Sequence, residues 1–215
     1  MSNPQPTVHV VDDDESCLRA VSRLLGASGF QVRTHLSAND FLAQWREDEP
    51  CCVVADLDMP EMNGLALQAR LAETGDPPPM LFLTGHGDIA TTVRAMRDGA
   101  EDFLEKRGAA EVLLAAVRRA LARDARQREE RARRSAQAAP FSTLTTRERE
   151  VLEHVVRGRL NKQIAGDLGI HERTVKLHRN AMMAKLGVHS VAELTRLAYE
   201  AGLLQPLDSE PGRLA

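Results

Sequence analysis

Apolar residues in the first 120 positions fall into short runs separated by amphipathic stretches. Val8, Val10 and Val11 lead straight into four acids, Asp12 to Glu15. Leu18, Val21, Leu24 and Leu25 then recur at three- and four-residue spacing, which predicts a helix with one buried face, stopping between Gly26 and Gly29. FQVRTHL alternates as a strand, and SANDFLAQW opens a helix with Ser37 as cap and Asp40 three residues on. CCVVADLDMP is a continuous apolar run ending in acids, as a strand covered on both faces would be. GLALQARLAE reads as helix, PMLFLTGHG as a second buried strand and DIATTVRAMRDG as a helix closed by Gly99. AEDFLEK gives a fifth strand, and AEVLLAAVRRALARDARQREERARR a long last helix.

Five strand–helix units of this regularity predict an α/β fold, a doubly wound five-stranded parallel sheet with helices on both faces. In such sheets ligands bind outside the carboxyl ends of the strands. Asp12 and Asp13 end the first strand, Asp56 the third, Thr84 the fourth and Lys106 the fifth, so all five should meet at one edge. Clustered carboxylates repel one another unless something positive sits among them. Hard oxygen donors of this kind suit Mg²⁺, Lys106 adds a point charge, and the Thr84 hydroxyl can hydrogen-bond an oxyanion. A carboxylate in that company is placed to attack phosphorus. Asp14 and Glu15 read instead as acids at a helix N-terminus, where they favour the dipole. His86, in TGHGD, is a loop histidine with no identified partner and is given no role.

The pattern changes after the long helix. The pairs Asp124–Arg128, Glu129–Arg133 and Glu130–Arg134 support a solvated helix on exposed faces, and Ala-Gln-Ala-Ala-Pro reads as a tether. LTTREREVLEHVVRG begins with a capping box, Thr145 and Glu148, and carries Leu152, Val155 and Val156 on one face. NKQIAGDLGI is a short helix capped by Asn161 and stopped at Gly169, HERTVKLHRNAMMAKLG a third, and SVAELTRLAYEAG a fourth with Ser190 and Glu193 as its box. Two short helices joined by a Gly turn form a helix-turn-helix, whose second helix can enter a major groove. On that second helix Val175, Met182 and Leu186 should pack inward, while Lys176, His178, Arg179 and Asn180 lie largely away from them. From Thr174 to Leu186 there is no acid, as a helix beside phosphates requires.

Charge sharpens the division. The net charge over 215 residues is only −3, yet residues 1–120 carry 19 acids against 11 bases, and residues 141–205 carry 7 acids against 10 bases. An acidic front and a mildly basic back predict two domains with different partners. The N-terminal MSNPQPT has no apolar run, which argues against a secretory leader, and no stretch approaches the length of a membrane span. Cys17, Cys51 and Cys52 are odd in number with no C-x-x-C pair, so reduced thiols, buried at Cys51 and Cys52, are expected, and with them a cytoplasmic protein.

The order Asp12-Asp13, Asp56, Thr84, Lys106, with MPEMNG after Asp56 and GAEDFLEK around Lys106, resembles the receiver domain of two-component response regulators over about residues 7–122. LTTREREVL, NKQIAGDLGIHERTVKLHR and KLGVHSVAEL resemble the LuxR-type helix-turn-helix found after receivers in NarL/FixJ-type regulators. The resemblance implies a receiver at 1–122, a charged helical linker at 123–140, a DNA-binding domain at 141–205 and a tail at 206–215. It implies Asp56 as phosphoryl acceptor, with Mg²⁺ held by Asp13, Asp56 and the backbone carbonyl of Asp58, and Asp12 acting through water. Phe103 corresponds to the aromatic that moves inward when Thr84 closes on the phosphate. Lys176, Leu177 and Asn180 would face base edges, while Lys162, Thr174, His178 and Arg179 would serve mostly phosphates. The implied partners are a sensor histidine kinase, a two-fold operator in double-stranded DNA and a second copy of the chain, with room for a contact with RNA polymerase and none for a membrane.

Two rivals compete with this picture. One keeps the fold but makes DNA binding constitutive and independent of phosphate. The other takes VVADLDM as the nucleophile motif of haloacid-dehalogenase-type phosphatases, with Asp56 as nucleophile and Asp58 as general acid; Met59 then stands where a small or β-branched residue is usual, and Asp12-Asp13 lacks a job. Two departures from the family also carry expectations. His171 stands where a Ser or Thr cap is usual, so that helix start should be weaker. Lys106 is followed by Arg107-Gly108 rather than proline and an aromatic, so the Lys106–Arg107 peptide should be trans, with Gly108 absorbing the change through positive φ and dimer geometry altered.

Overall fold

The computed structural model describes residues 5–85 and 89–203, which leaves His86 and the 206–215 tail outside the described residues. The chain divides into two compact units after Arg128. The first contains β1 (Thr7–Val11), α1 (Glu15–Ala27), β2 (Gln31–His35), α2 (Ala38–Gln44), β3 (Cys51–Ala55), α3 (Gly64–Ala72), β4 (Met80–Thr84), α4 (Ile89–Arg97) and β5 (Asp102–Glu105). It ends in α5 (Ala110–Ala138), which runs on into the second unit.

The five strands form one parallel sheet in the order β2-β1-β3-β4-β5. The three middle strands are buried throughout, which explains why β3 and most of β4 are continuous apolar runs, whereas β1 sets the polar Thr7 and His9 among its valines. Along β1, Val8 and Val10 join Leu18, Val21, Leu25, Val117 and Ala120 on one face, while Val11 joins Phe41, Leu67, Leu71 and Phe82 on the other. Placing β1 beside both β2 and β3 reverses the strand order there, so the ends of β1 and β3 bound an open crevice. The helix starts follow the sequence: Asp14 caps α1 through Ser16 N–H, Ser37 caps α2 through Asp40 N–H, and Asn63 caps α3 through Ala66 N–H.

His9 and His35, which carry no signal in the sequence, form a buried pair between β1 and β2. His9 Nδ1 lies 2.9 Å from His35 Nε2, the rings stack at 5.2 Å, and Phe41 meets both edge-on. One ring donates to the other across this contact, so protonating both would set two positive charges against each other. Burial, reinforced by the charges of His35 and Arg33, pushes His9 down to about 4 from 6.5. The unfolded chain therefore takes up a proton near pH 6.5 while the folded chain refuses it until about pH 4, so stability is lost as pH falls through that window. Denaturation of wild type and His9→Gln between pH 7 and 4 should show the wild type losing on the order of 3 kcal/mol more than the variant. Parallel pH profiles would show that His9 is not the source.

Two expectations about the long helix need correction. Asp124 is buried, not exposed: it accepts a hydrogen bond from Cys51 N–H at 3.2 Å and pairs with Arg128 at 2.8 Å. Arg128 in turn donates to the carbonyls of Glu47, Asp48 and Glu49. An i, i+4 pair that looks like surface decoration is therefore a clamp on the loop entering β3. The Ala-Gln-Ala-Ala segment is not a tether either, because α5 continues to Ala138 and passes into a 3-10 turn over Ala139–Thr143. Alanine-rich sequence without glycine favours helix, and the turn tightens where Pro140 removes a donor. Arg128→Ala should cost about 2–3 kcal/mol, since it strips three carbonyls and a buried carboxylate of their partner. A urea midpoint unchanged from wild type would mean that the clamp is idle.

The second unit holds α6 (Thr146–Val156), α7 (Asn161–Leu168), α8 (Glu172–Leu186) and α9 (Val191–Glu200) around Phe141, Val151, Val155, Ile164, Val175, Met182 and Leu194. The box at Thr145 and Glu148 is formed in both directions. Glu148 also takes a 2.6 Å ion pair from Lys185, which ties α8 to α6. Gly169 and Gly187 end α7 and α8 in the left-handed region, where a Cβ would strain the backbone. The cap of α7 is Leu160 rather than Asn161; Gln163 reaches back to the Leu160 N–H, and Asn161 is the first helical residue. His171 does cap α8 without a side-chain bond, as its residue type implies. Among the described residues no helix is long and apolar enough to cross a membrane.

Candidate functional site

The carboxyl ends of β1, β3, β4 and β5 bring the acidic residues together. Asp12, Asp13 and Asp56 each offer a carboxylate oxygen within 4.8 Å of the others. Asp12 and Asp56 are buried and Asp13 is exposed, so the cluster opens to water on one side. Lys106 reaches in from β5, with Nζ 2.7 Å from Asp12 and 2.9 Å from Asp56. Burial works against the Lys106 ammonium, but hydrogen bonds to both carboxylates outweigh it and hold its pKa above the ordinary lysine value. Burial raises Asp56 above the usual carboxylate range, with Lys106 pulling the other way.

Local backbone contacts fix these positions. Asp12 accepts from Asp14 N–H at 2.9 Å, and Asp56 from Leu57 N–H at 2.7 Å. Thr84 is fully buried at the end of β4, and its carbonyl accepts from Lys106 N–H at 2.7 Å, which aligns the two side chains on adjacent strands. Asp58 lies in the loop beyond β3 with its side chain exposed. Phe103 is half-buried, its ring 6.0 Å from Phe82. The Lys106–Arg107 peptide is trans, since no cis bond occurs among the described residues. Gly108 does not take positive φ; its N–H closes a turn on Glu105 O at 2.9 Å, and a Cβ there would stand 3.0 Å from that oxygen. Close approach, not the left-handed region, is what this glycine supplies.

The residue that sequence reasoning missed is Gly64. It begins α3, and a Cβ on it would lie 2.5 Å from the Asp56 carbonyl oxygen and 2.8 Å from the Phe82 ring. Its N–H donates to Leu57 O at 2.9 Å. Upstream, Glu61 adopts φ of 61°, held by Asn39, so the loop after Asp56 folds tightly back on the pocket. The only sequence signal was the glycine following Asn63.

The thiols are far from reactive. Among the described residues all three are free. Burial pushes Cys51 up to about 11 and Cys52 well above its ordinary value. Cys17, half-buried beside Asp12, is pushed up to about 12 by burial and that carboxylate.

The second unit presents a separate surface. On α8, Val175, Met182 and Leu186 are buried, while Lys176 and Asn180 are exposed and Leu177 is 68% exposed. Thr174, His178 and Arg179 are half-buried, and Lys162 on α7 is exposed. Arg179 donates to Asn161 Oδ1 at 2.9 Å and so braces α8 against the start of α7. Arg173, unassigned from sequence, is also exposed in the first turn of α8.

Comparison with known proteins agrees with both units. Residues 8–118 match the response regulator receiver domain, and residues 142–198 match the bacterial regulatory proteins of the luxR family. The response regulator protein TmoT of Ectopseudomonas mendocina is 41% identical over 197 residues, 92% of this chain and 90% of that protein. The transcriptional regulatory protein FixJ of Azorhizobium caulinodans is 41% identical over 204 residues, 95% of this chain and 97% of its own length. The solved structure of the response regulator StyR superposes with a TM-score of 0.72 at 44% identity, covering 91% of this chain and 99% of that one. Full-length FixJ from B. japonicum gives 0.56 at 35% identity over 95% of this chain and 100% of that one. With an acidic receiver pocket at one end and a LuxR-type helix-turn-helix at the other, this chain belongs to the NarL/FixJ-type response regulators.

Proposed function

We propose that Asp56 accepts a phosphoryl group from a partner sensor histidine kinase and that its loading controls binding of the second unit to operator DNA. The observation that carries this is the pairing of Asp56 with Lys106 at 2.9 Å inside a three-carboxylate cluster. The hard oxygen donors of that cluster fit Mg²⁺. Asp13, Asp56 and the carbonyl of Asp58 would hold it directly and Asp12 through water. Bound there, the ion offsets repulsion between carboxylate and phosphoryl oxygens. An Asp56 oxygen forms the bond to phosphorus while the bond from phosphorus to the donor's nitrogen breaks. Lys106 neutralises the gathered negative charge, the Thr84 hydroxyl donates to a phosphoryl oxygen, and Phe103 follows it inward.

On DNA, Lys176, Leu177 and Asn180 face base edges, while Lys162, Thr174, His178 and Arg179 serve phosphates. The acid-free stretch of α8 supports this assignment. Phosphorylation acts as a local charge change amplified by dimerisation on a two-fold operator, in the cytoplasm where kinase output and DNA meet. The matched families are regulatory, so Asp56 is loaded and unloaded rather than turned over on a substrate.

The test uses the full chain and duplexes that it selects from a random-sequence library. Acetyl phosphate with Mg²⁺ should raise affinity roughly tenfold or more, the size of an ordinary coupling free energy. Equal affinity with and without the donor, on protein shown to be phosphorylated, would make DNA binding constitutive.

A further inference from the structure

Resting on the phosphorylation reading above, we infer that Gln68 is a positioning residue: its amide holds α4 in place while Asp56 is unloaded, and loading releases it. Gln68 lies on α3 and is only 7% exposed. Its Nε2 donates at 3.2 Å to the carbonyl of Ala95, in the last turn of α4. That carbonyl can only accept, so the orientation of the amide is fixed, and Oε1 is left buried without a partner among the described residues. An unpartnered buried oxygen destabilises a fold, and an apolar side chain of the same length would carry no such cost. The Ala95 carbonyl does not need the amide either. It already accepts from Ala100 N–H at 3.0 Å, in the turn where Gly99 takes φ of 95°. The contact is thus a tie between two helices rather than a requirement of either one.

The apolar hold on α4 is thin. Ala95 is its one buried residue among those described, while Val93 and Met96 are exposed. The same helix stands where the switch residues act. Thr84 ends β4 just before α4 begins, and Phe103 packs against the cluster that contains Ala95, Ala100 and Phe82. Closure of Thr84 on a phosphoryl oxygen and the inward step of Phe103 therefore both work on a helix that the Gln68 amide ties to α3.

The test compares the full-length wild type with Gln68→Met, which keeps an unbranched side chain of the same length and removes both donor and acceptor. The urea midpoint of the variant should be no lower than that of wild type, because the unpartnered oxygen goes and the Ala95 carbonyl keeps Ala100 N–H. Without any phosphodonor, α4 amides of the variant should nonetheless exchange with deuterium about fivefold faster, the worth of one ordinary hydrogen bond. Wild-type α4 should reach a similar rate only with acetyl phosphate and Mg²⁺. On duplexes selected by the phosphorylated wild type, the unphosphorylated variant should bind about fivefold tighter than the unphosphorylated wild type. The two phosphorylated chains should bind alike. A side chain that merely packs would lower the midpoint and leave the gap between loaded and unloaded affinities intact, which would overturn the inference. So would α4 exchange at the wild-type rate in the variant. Wild-type α4 exchange indifferent to phosphorylation would also overturn it, and that arm decides even where Gln68→Met does not fold. A wild type that takes up no phosphoryl group would sink the phosphorylation reading and this inference together. One that takes it up with no change in DNA affinity would sink only the control of binding, with α4 exchange still deciding the role of Gln68.

Discussion

Asp56→Asn should fold and yet take up no phosphoryl group from acetyl phosphate and Mg²⁺, where the wild type takes up one. The amide is close to the carboxylate in shape and keeps an oxygen for the Leu57 N–H, which now donates to Asp56 at 2.7 Å. It is not a nucleophile at phosphorus, so the loss should be complete. Burial raises the Asp56 pKa, so the folded pocket disfavours the charge, and the neutral variant should be no less stable than wild type. Intact-protein mass reads the first effect and urea denaturation the second. A variant that still carries label at full level would place the acceptor elsewhere; one that unfolds would make the missing label uninformative about chemistry.

Among the described glycines, Gly64→Ala should show the largest stability loss, about 3 kcal/mol. The new carbon would sit 2.5 Å from the Asp56 carbonyl oxygen, and that atom is backbone at the end of a buried strand, with little freedom to retreat. The Phe82 ring, 2.8 Å away, is itself fully buried. Relief has to come from moving α3 or the end of β3, and either displaces Asp56, so phosphorylation should fall with stability. Gly26 in α1 is the control: nothing lies within 4 Å of a Cβ there, and alanine should stabilise by roughly 0.5–1 kcal/mol. Comparable midpoints for the two variants would mean that the contact at Gly64 relaxes cheaply.

These two residues mark how far the sequence can be read. Asp56 was legible because its charge at the end of an apolar run has no other use, and because Asp12, Asp13, Thr84 and Lys106 recur at matching strand ends. Sheet and helices were legible for a related reason: burial on two faces makes β1, β3 and β4 mostly apolar, with only Thr7, His9 and Thr84 as polar exceptions. Gly64 was not legible, since its need for a hydrogen in place of a side chain arises from how closely α3 approaches β3. His9 and His35 are far apart in the chain and become partners only through the pairing of β1 with β2. Asp124 and Arg128 matched the rule for a solvated helix pair, and only the loop before β3 turns their spacing into a clamp. Asn161 was mistaken for a cap because its residue type suits one, whereas Leu160 holds that place without a side-chain bond and Gln163 accepts from the Leu160 N–H.

That clamp bears on how such proteins can be taken apart and recombined. A receiver fragment cut at Arg118, where the match to the receiver family ends, would keep every pocket residue and discard Asp124 and Arg128. The Cys51 N–H would lose its carboxylate and the 47–49 carbonyls their guanidinium, at the entrance to the strand that carries Asp56. A fusion that grafts this receiver onto a different output module therefore has its seam inside a helix, beyond Arg128, rather than at the edge of the recognisable domain.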